Sequence, residues 1–360
     1  MRKLAVLVLI VVVVAGAAAA IIYERIQQPF QGYAGTEQFV DIPPGASTRT
    51  IGDRLVAAGV VRDPLTYRLS MLMSGRARTL KAGEYRFDHP MTPLDVIGKI
   101  ARGDVYVITI TFPEGLTGAE MASIAEMHGI GPPSAFVEAA KDPMPIRTID
   151  PIARDLEGYL FPETYRVNRQ TDAAKLVRLM VARFDHVLTP ELRRAAEARG
   201  LSIHQLVTLA SIVEKETARP DERPIVAAVY LNRFRIGMPL QCDPTVIYAL
   251  QRAGTYHGNL RREDLSYDSP YNTYRYAGLP PGPIASPGKA SLEATVNPAD
   301  VDYLYFVSRN DGSHEFAATL AEHNRNVQKY QVEYFRAGGA GGPGRAGGSG
   351  RAGEVGGAGR

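Results

Sequence analysis

From Leu4 to Ile22 every position of the chain is apolar or small, and beyond that run the hydrophobic pattern changes period every few residues. Nineteen such residues suffice to cross the hydrocarbon core of a bilayer once. Arg2 and Lys3 precede the run and Tyr23, Glu24 and Arg25 follow it, which favours a cytoplasmic N-terminus (residues 1–3) with the rest of the chain facing outward. A cleaved signal peptide is the competing reading, since Ala17 to Ala20 are small. The run exceeds an ordinary signal-peptide segment, however, and no polar stretch precedes that site, so an uncleaved transmembrane helix over residues 4–22 is expected.

Residues 23–37 hold Pro29, Gly32 and Gly35 and are expected to be a linker. From 38 to 103 short patterns alternate: strand over Phe39 to Ile42, helix from Ser47 or Thr48 to a stop at Gly59, helix after Asp63-Pro64, strand over Ala82 to Phe87, and helix after Thr92-Pro93. The order is a small β-α-α-β unit with a further helix. A larger mixed segment, 104–335, opens with a strand over Val105 to Phe112 and continues with helices over 117–128, 172–188, 189–200, 202–217, 221–234 and 243–250. Asp243-Pro244 reads as an N-cap with proline at the first helical position. Asn310-Asp311-Gly312-Ser313 predicts a hairpin between Tyr303–Arg309 and Glu315–Ala318, and a last helix covers Ala321 to Phe335. Residues 336–360, rich in Gly, Ala and Arg, are expected to be a disordered tail. The fold class is therefore α+β, with one N-terminal transmembrane helix.

Within this pattern the helix after Ser202 is unusual. Ser202 and Gln205 form a capping box, and Ile203, Leu206, Val207, Leu209, Ala210, Ile212 and Val213 leave almost no polar face. Glu214 and Glu216 arrive only as the pattern ends, before Arg219-Pro220 stops it. They lie on different stripes of the helix, so one can serve chemistry and the other structure. Burial and a helix C-terminus both raise a carboxyl pKa, as a general acid near neutral pH requires. Two ordinary acids at a solvated helix end would fit the same pattern.

A net charge of +3 on 360 residues, without a dense basic cluster, argues against a nucleic-acid partner. Cys242 is the only cysteine, which excludes an internal disulfide and a thiol-rich metal site. No P-loop, dinucleotide fingerprint or His-Glu metal motif occurs. Asp155 to Arg166 combines rings with Glu157 and Glu163, and fits either a loop at a core edge or the wall of a cleft. Ser269 to Tyr274 and Gly278 to Pro283 are rigid loops that fit either structural bracing or a sugar site of flat rings and amides.

Ala210-Ser-Ile-Val-Glu-Lys-Glu-Thr217, Leu231-Asn-Arg233, Leu240-Gln-Cys-Asp-Pro-Thr-Val-Ile-Tyr248, Tyr271-Asn-Thr-Tyr274, Gly278-Leu-Pro-Pro-Gly282 and Tyr303-Leu-Tyr-Phe-Val307 together are similar to the endolytic murein transglycosylases of the MltG (YceG-like) family. The resemblance extends from the anchor to about Tyr330. It implies a LysM-like subdomain at 38–103 and a YceG-like catalytic domain at 104–335, in a single-pass inner-membrane protein acting on peptidoglycan glycan strands between MurNAc and GlcNAc. The catalytic acid it implies is Glu216. Glu214, Asn232, Gln241, Asp243, Tyr271 and Asn272 match other motif positions and, with Glu163, are expected in the substrate cleft. No cofactor or metal is implied, and the location brings penicillin-binding proteins or other wall synthases within reach. Cys242 and the glycine-rich tail depart from the family pattern. Two rivals remain at this point: a muramidase-type hydrolase with Glu163 or Asp243 as a second carboxylate, and a non-catalytic peptidoglycan-binding scaffold.

Overall fold

The computed structural model describes residues 2–334 and 336, so the tail expected over 336–360 lies outside the described residues but for Arg336. The chain divides into two compact units, residues 1–108 with 166–169, and residues 109–165 with 170–360.

In the first unit, helix α1 (Arg2–Gln27) is long and apolar enough, over Val6–Gln27, to cross a membrane. It does not stop at Ile22. Nothing before Pro29 breaks it, so residues 23–27 of the expected linker are helical and Ile26 is buried at 2 % exposure. The rest of that segment is not a loose linker either. Phe30 and Met91 exchange backbone hydrogen bonds, and the Tyr33 hydroxyl donates to Phe87 O at 3.0 Å. Arg62 covers the Phe30 ring at 4.7 Å. Gly32 N donates to Gly59 O, and Gly59, at φ 69°, admits this approach because a Cβ there would meet Gly32 C at 2.7 Å.

Strand β1 (Gln38–Ile42) pairs antiparallel with β2 (Gly83–Phe87), setting Val40 opposite Tyr85. Between them run α2 (Thr48–Ala57) and α3 (Pro64–Ser74), and α4 (Pro93–Arg102) follows. Ser47, Asp63 and Thr92 cap these helices through their side chains, as their positions predict. Ile42, Leu55, Tyr67, Tyr85, Phe87, Ile97 and Ile100 form the core.

Strand β3 (Ile108–Thr111) starts at the last residue of the first unit's 1–108 segment and is shorter than the strand expected over 105–112. Tyr106 belongs to the first unit instead: its N–H donates to Glu84 O and its ring meets Phe39 edge-on. Helices α5 (Gly118–Met127) and α6 (Pro133–Lys141) precede β4 (Thr164–Val167), the partner of β3. Then come α7 (Ala173–Val187), α8 (Pro190–Ala198), α9 (Ile203–Glu216), α10 (Arg223–Arg235) and α11 (Asp243–Ala253). The last elements among the described residues are α12 (Lys289–Val296), the hairpin β5 (Tyr305–Ser308) and β6 (His314–Ala317), and α13 (Leu320–Val327), which continues as a π-helix over Gln328–Glu333. Helices α8, α10, α11 and α12 surround α9, whose residues from Leu206 to Val213 are all buried. An apolar helix without a polar face is stable only in such a position.

Candidate active site

Helix α9 ends at Glu216, and two donors meet one oxygen of its carboxyl group. The Tyr230 hydroxyl, from α10, donates to Oε1 at 2.8 Å, and the Cys242 thiol, at the start of α11, donates to the same atom at 3.0 Å. The other oxygen, Oε2, takes no protein hydrogen bond among the described residues, and the residue as a whole is half-buried. Burial raises the Glu216 pKa. The bonds from Cys242 and Tyr230 oppose that rise, the Asp243 charge adds to it, and the His314 charge lowers it.

The loop Ser269 to Tyr274, open between structural bracing and a sugar site, holds this arrangement. Cys242 N donates to Thr273 Oγ1 at 3.0 Å, Gln241 N donates to Thr273 O, and the Tyr274 hydroxyl donates to Asp243 Oδ1 at 2.5 Å. Asp243 is therefore not an N-cap. Cys242 occupies that position and the Asp243 side chain turns to Tyr274. Burial raises the Asp243 pKa, with the Tyr274 bond opposing. Gln241 adopts φ 51°, a left-handed backbone uncommon for glutamine, and its side chain is exposed beside Cys242.

Other expected site residues have their polar atoms committed elsewhere. Glu214 accepts from Gly288 N at 3.0 Å and Ser291 Oγ at 2.7 Å and pairs with Arg223 at 3.3 Å. It thus serves the first turn of α12 from outside that helix, where a negative charge is favoured. Asn272 is fully buried, donates to Leu265 O and Tyr267 O and accepts from Tyr274 N, so its amide braces the loop. Asn232 donates to Val301 O and Tyr303 O beside a cavity of about 630 Å³ that does not include Glu216. Glu163 is held by the Arg183 guanidinium. None of these four touches the Glu216 carboxyl group.

Tyr271 lies in a neighbouring cluster, 5.0 Å from the Tyr248 ring and covered by Arg252. Glu157 accepts from Gly118 N there, with Tyr248 Oη at 3.4 Å, and burial pushes its pKa to about 7. His204 is fixed between Asp150 Oδ2, 2.6 Å from Nδ1, and Pro281 O, 2.9 Å from Nε2. Gly158, at φ 83°, lets Pro283 lie where a Cβ would otherwise be.

The sequence marked neither Tyr230 nor Cys242 as a partner of Glu216. Tyr230 is buried on α10 beside Ala227, Ala228 and Val229, where a ring reads as core, and Cys242 reads as a small core residue. The Glu222–His314 contact, 2.6 Å from carboxylate to Nδ1, was equally hidden because 92 residues separate the pair. Among the described residues no group of three or more His, Cys, Asp or Glu side chains could hold a metal.

The chain matches the YceG-like family profile over residues 40–329. The endolytic murein transglycosylase of Bacillus subtilis (strain 168) is 32 % identical over 332 residues, 86 % of this chain and 90 % of the relative. That of Streptococcus pneumoniae serotype 2 (strain D39 / NCTC 7466) is 32 % identical over 321 residues, 81 % of this chain but 58 % of the relative's length. The crystal structure of a YceG-like protein from Listeria monocytogenes is 30 % identical, with a TM-score of 0.56 over 81 % of this chain and 99 % of that one.

Proposed function

The chain belongs to the YceG-like family, and from that premise we propose that it is a lytic transglycosylase that cuts peptidoglycan glycan strands internally between MurNAc and GlcNAc and leaves 1,6-anhydroMurNAc ends. The observation that carries the reading is the Glu216 carboxyl group, with one oxygen held by two donors, the other without a protein hydrogen bond among the described residues, and its pKa raised by burial. A protonated Glu216 donates from Oε2 to the glycosidic oxygen as the bond to C1 breaks and positive charge develops on the MurNAc ring. The carboxylate then takes the proton of the same sugar's 6-hydroxyl while O6 bonds to C1. The carboxyl is restored, and no water is consumed.

Further parts of the reading rest on the first unit. Its exposed apolar helix supports a single-pass anchor in the inner membrane, N-terminus inside and second unit outside. Its β-α-α-β order supports a LysM-like glycan-holding role. An anchored enzyme would meet strands as they emerge from wall synthases, the penicillin-binding proteins among them.

The hydrolase reading draws on Asp243, whose charge reaches Glu216; Glu163, tied to Arg183, has less to offer as a second carboxylate. Mass spectrometry of glycan products from the full-length protein in detergent, beside Glu216→Gln, separates the readings. Anhydro ends from the parent and none from the variant are expected. Reducing ends would replace the reading with a hydrolase, and the absence of products from both would replace it with a scaffold.

A further inference from the structure

Two donors on one carboxyl oxygen constrain more than the position of a side chain. We propose that Tyr230 and Cys242 are positioning residues that fix the protonation geometry of Glu216: by occupying Oε1 with hydroxyl and thiol donors, they leave Oε2 as the oxygen that carries and recovers the proton. The proposal deepens the reading above, since it concerns the same acid.

The geometry is assembled from three elements. Glu216 ends α9, Tyr230 lies on α10, and Cys242 precedes α11, where Thr273 Oγ1 binds its backbone N–H. Phe306 meets the Tyr230 ring edge-on at 5.9 Å and limits its motion. A carboxyl proton on Oε1 would point a third hydrogen at two donors already there, so the neutral acid places its hydrogen on Oε2. After transfer, both donors face an anion and their bonds strengthen, which stabilises the conjugate base without any rearrangement. Burial raises the pKa of both Tyr230 and Cys242, so each keeps its hydrogen through the cycle.

The remaining titratable groups around Glu216 come from other elements: Asp243 from α11, Tyr274 from the loop after α11, and His314 from β6, itself paired with Glu222. None of them hydrogen-bonds to Oε1, so removing a donor leaves them in place.

The chain has a single cysteine, and the S–H stretch of a thiol absorbs where other protein groups do not. Infrared titration of the full-length protein in detergent therefore reads the Cys242–Glu216 bond directly, without any assay of activity. The expected band is displaced toward lower frequency when Glu216 is ionised and relaxes as it is protonated; in Glu216→Gln it does not titrate. Tyr230→Phe removes a donor to the anion and moves the midpoint upward by about one pH unit. In glycan cleavage, Tyr230→Phe and Cys242→Ala shift the alkaline limb of kcat/KM to higher pH and lower kcat by about tenfold, while Cys242→Ser keeps the parent limb. A parent band identical to that of Glu216→Gln at every pH, or an unmoved midpoint in Tyr230→Phe, overturns the proposal. Because the band titrates whatever the products are, failure of the transglycosylase reading and failure of this one are seen separately.

Discussion

Glu157 accepts its hydrogen bonds from an amide and a phenol, neither of them charged, in a setting that favours its neutral form. Its folded pKa of about 7 lies above the ordinary 4.5, with burial the main cause. The fold prefers the protonated acid, so stability is greatest below about pH 4.5 and is lost as pH rises toward 7. The full displacement is worth at most about 3 kcal/mol, and the residue's partial exposure reduces this to about 2 kcal/mol. Urea unfolding at pH 5 and pH 8 should show the parent losing that amount relative to Glu157→Gln, which has no proton to release; equal losses would mean that Glu157 ionises freely. For Glu216 the raised pKa acts on rate, since the acid form starts the reaction, and activity should fall on the alkaline side as that proton is lost.

At the scale of elements, helix ends proved the most legible part of the chain. Ser47, Asp63, Thr92, Thr117, Asp172, Thr189 and Ser202 each accept a backbone hydrogen bond at the start of a helix, and each is a residue type whose short oxygen-bearing side chain reaches only there. Helix α12 escaped notice because its cap is not local. Gly288 offers no side chain, and the carboxylate that serves its first turn is Glu214, 74 residues earlier. The same distance hid the division of labour between Glu214 and Glu216: their stripes showed that the two acids diverge, but not what each would meet. Strand β4 was lost among the aromatics of 155–166, where four residues are too few to display alternation. Glu214→Ala takes the nearer carboxylate from Arg223, which keeps Glu114 at 3.7 Å, and leaves Gly288 N and Ser291 without this acceptor, so a loss of about 3 kcal/mol in urea unfolding is expected. Ser291→Ala should lose only about 1 kcal/mol. If the two variants were equally stable, the cap would be incidental.

For the molecule as a whole, the segment after α1 matters most, because proline and glycine suggested slack where the structure has attachment. Phe30, Tyr33 and Gly32 bind Met91, Phe87 and Gly59, contacts with partners 27 to 61 residues away that no local pattern shows. Phe30→Ala should expose residues 28–37 to limited proteolysis while the parent resists it, and cleavage of both at one rate would restore the linker. With α1 in a bilayer, this docking joins the buried helix and the first unit into one lever. A helix answers a thicker or thinner hydrocarbon layer by changing its tilt. A flexible leash would absorb that rotation, whereas a docked one transmits it, so lipid composition becomes a determinant of the angle at which the first unit is presented.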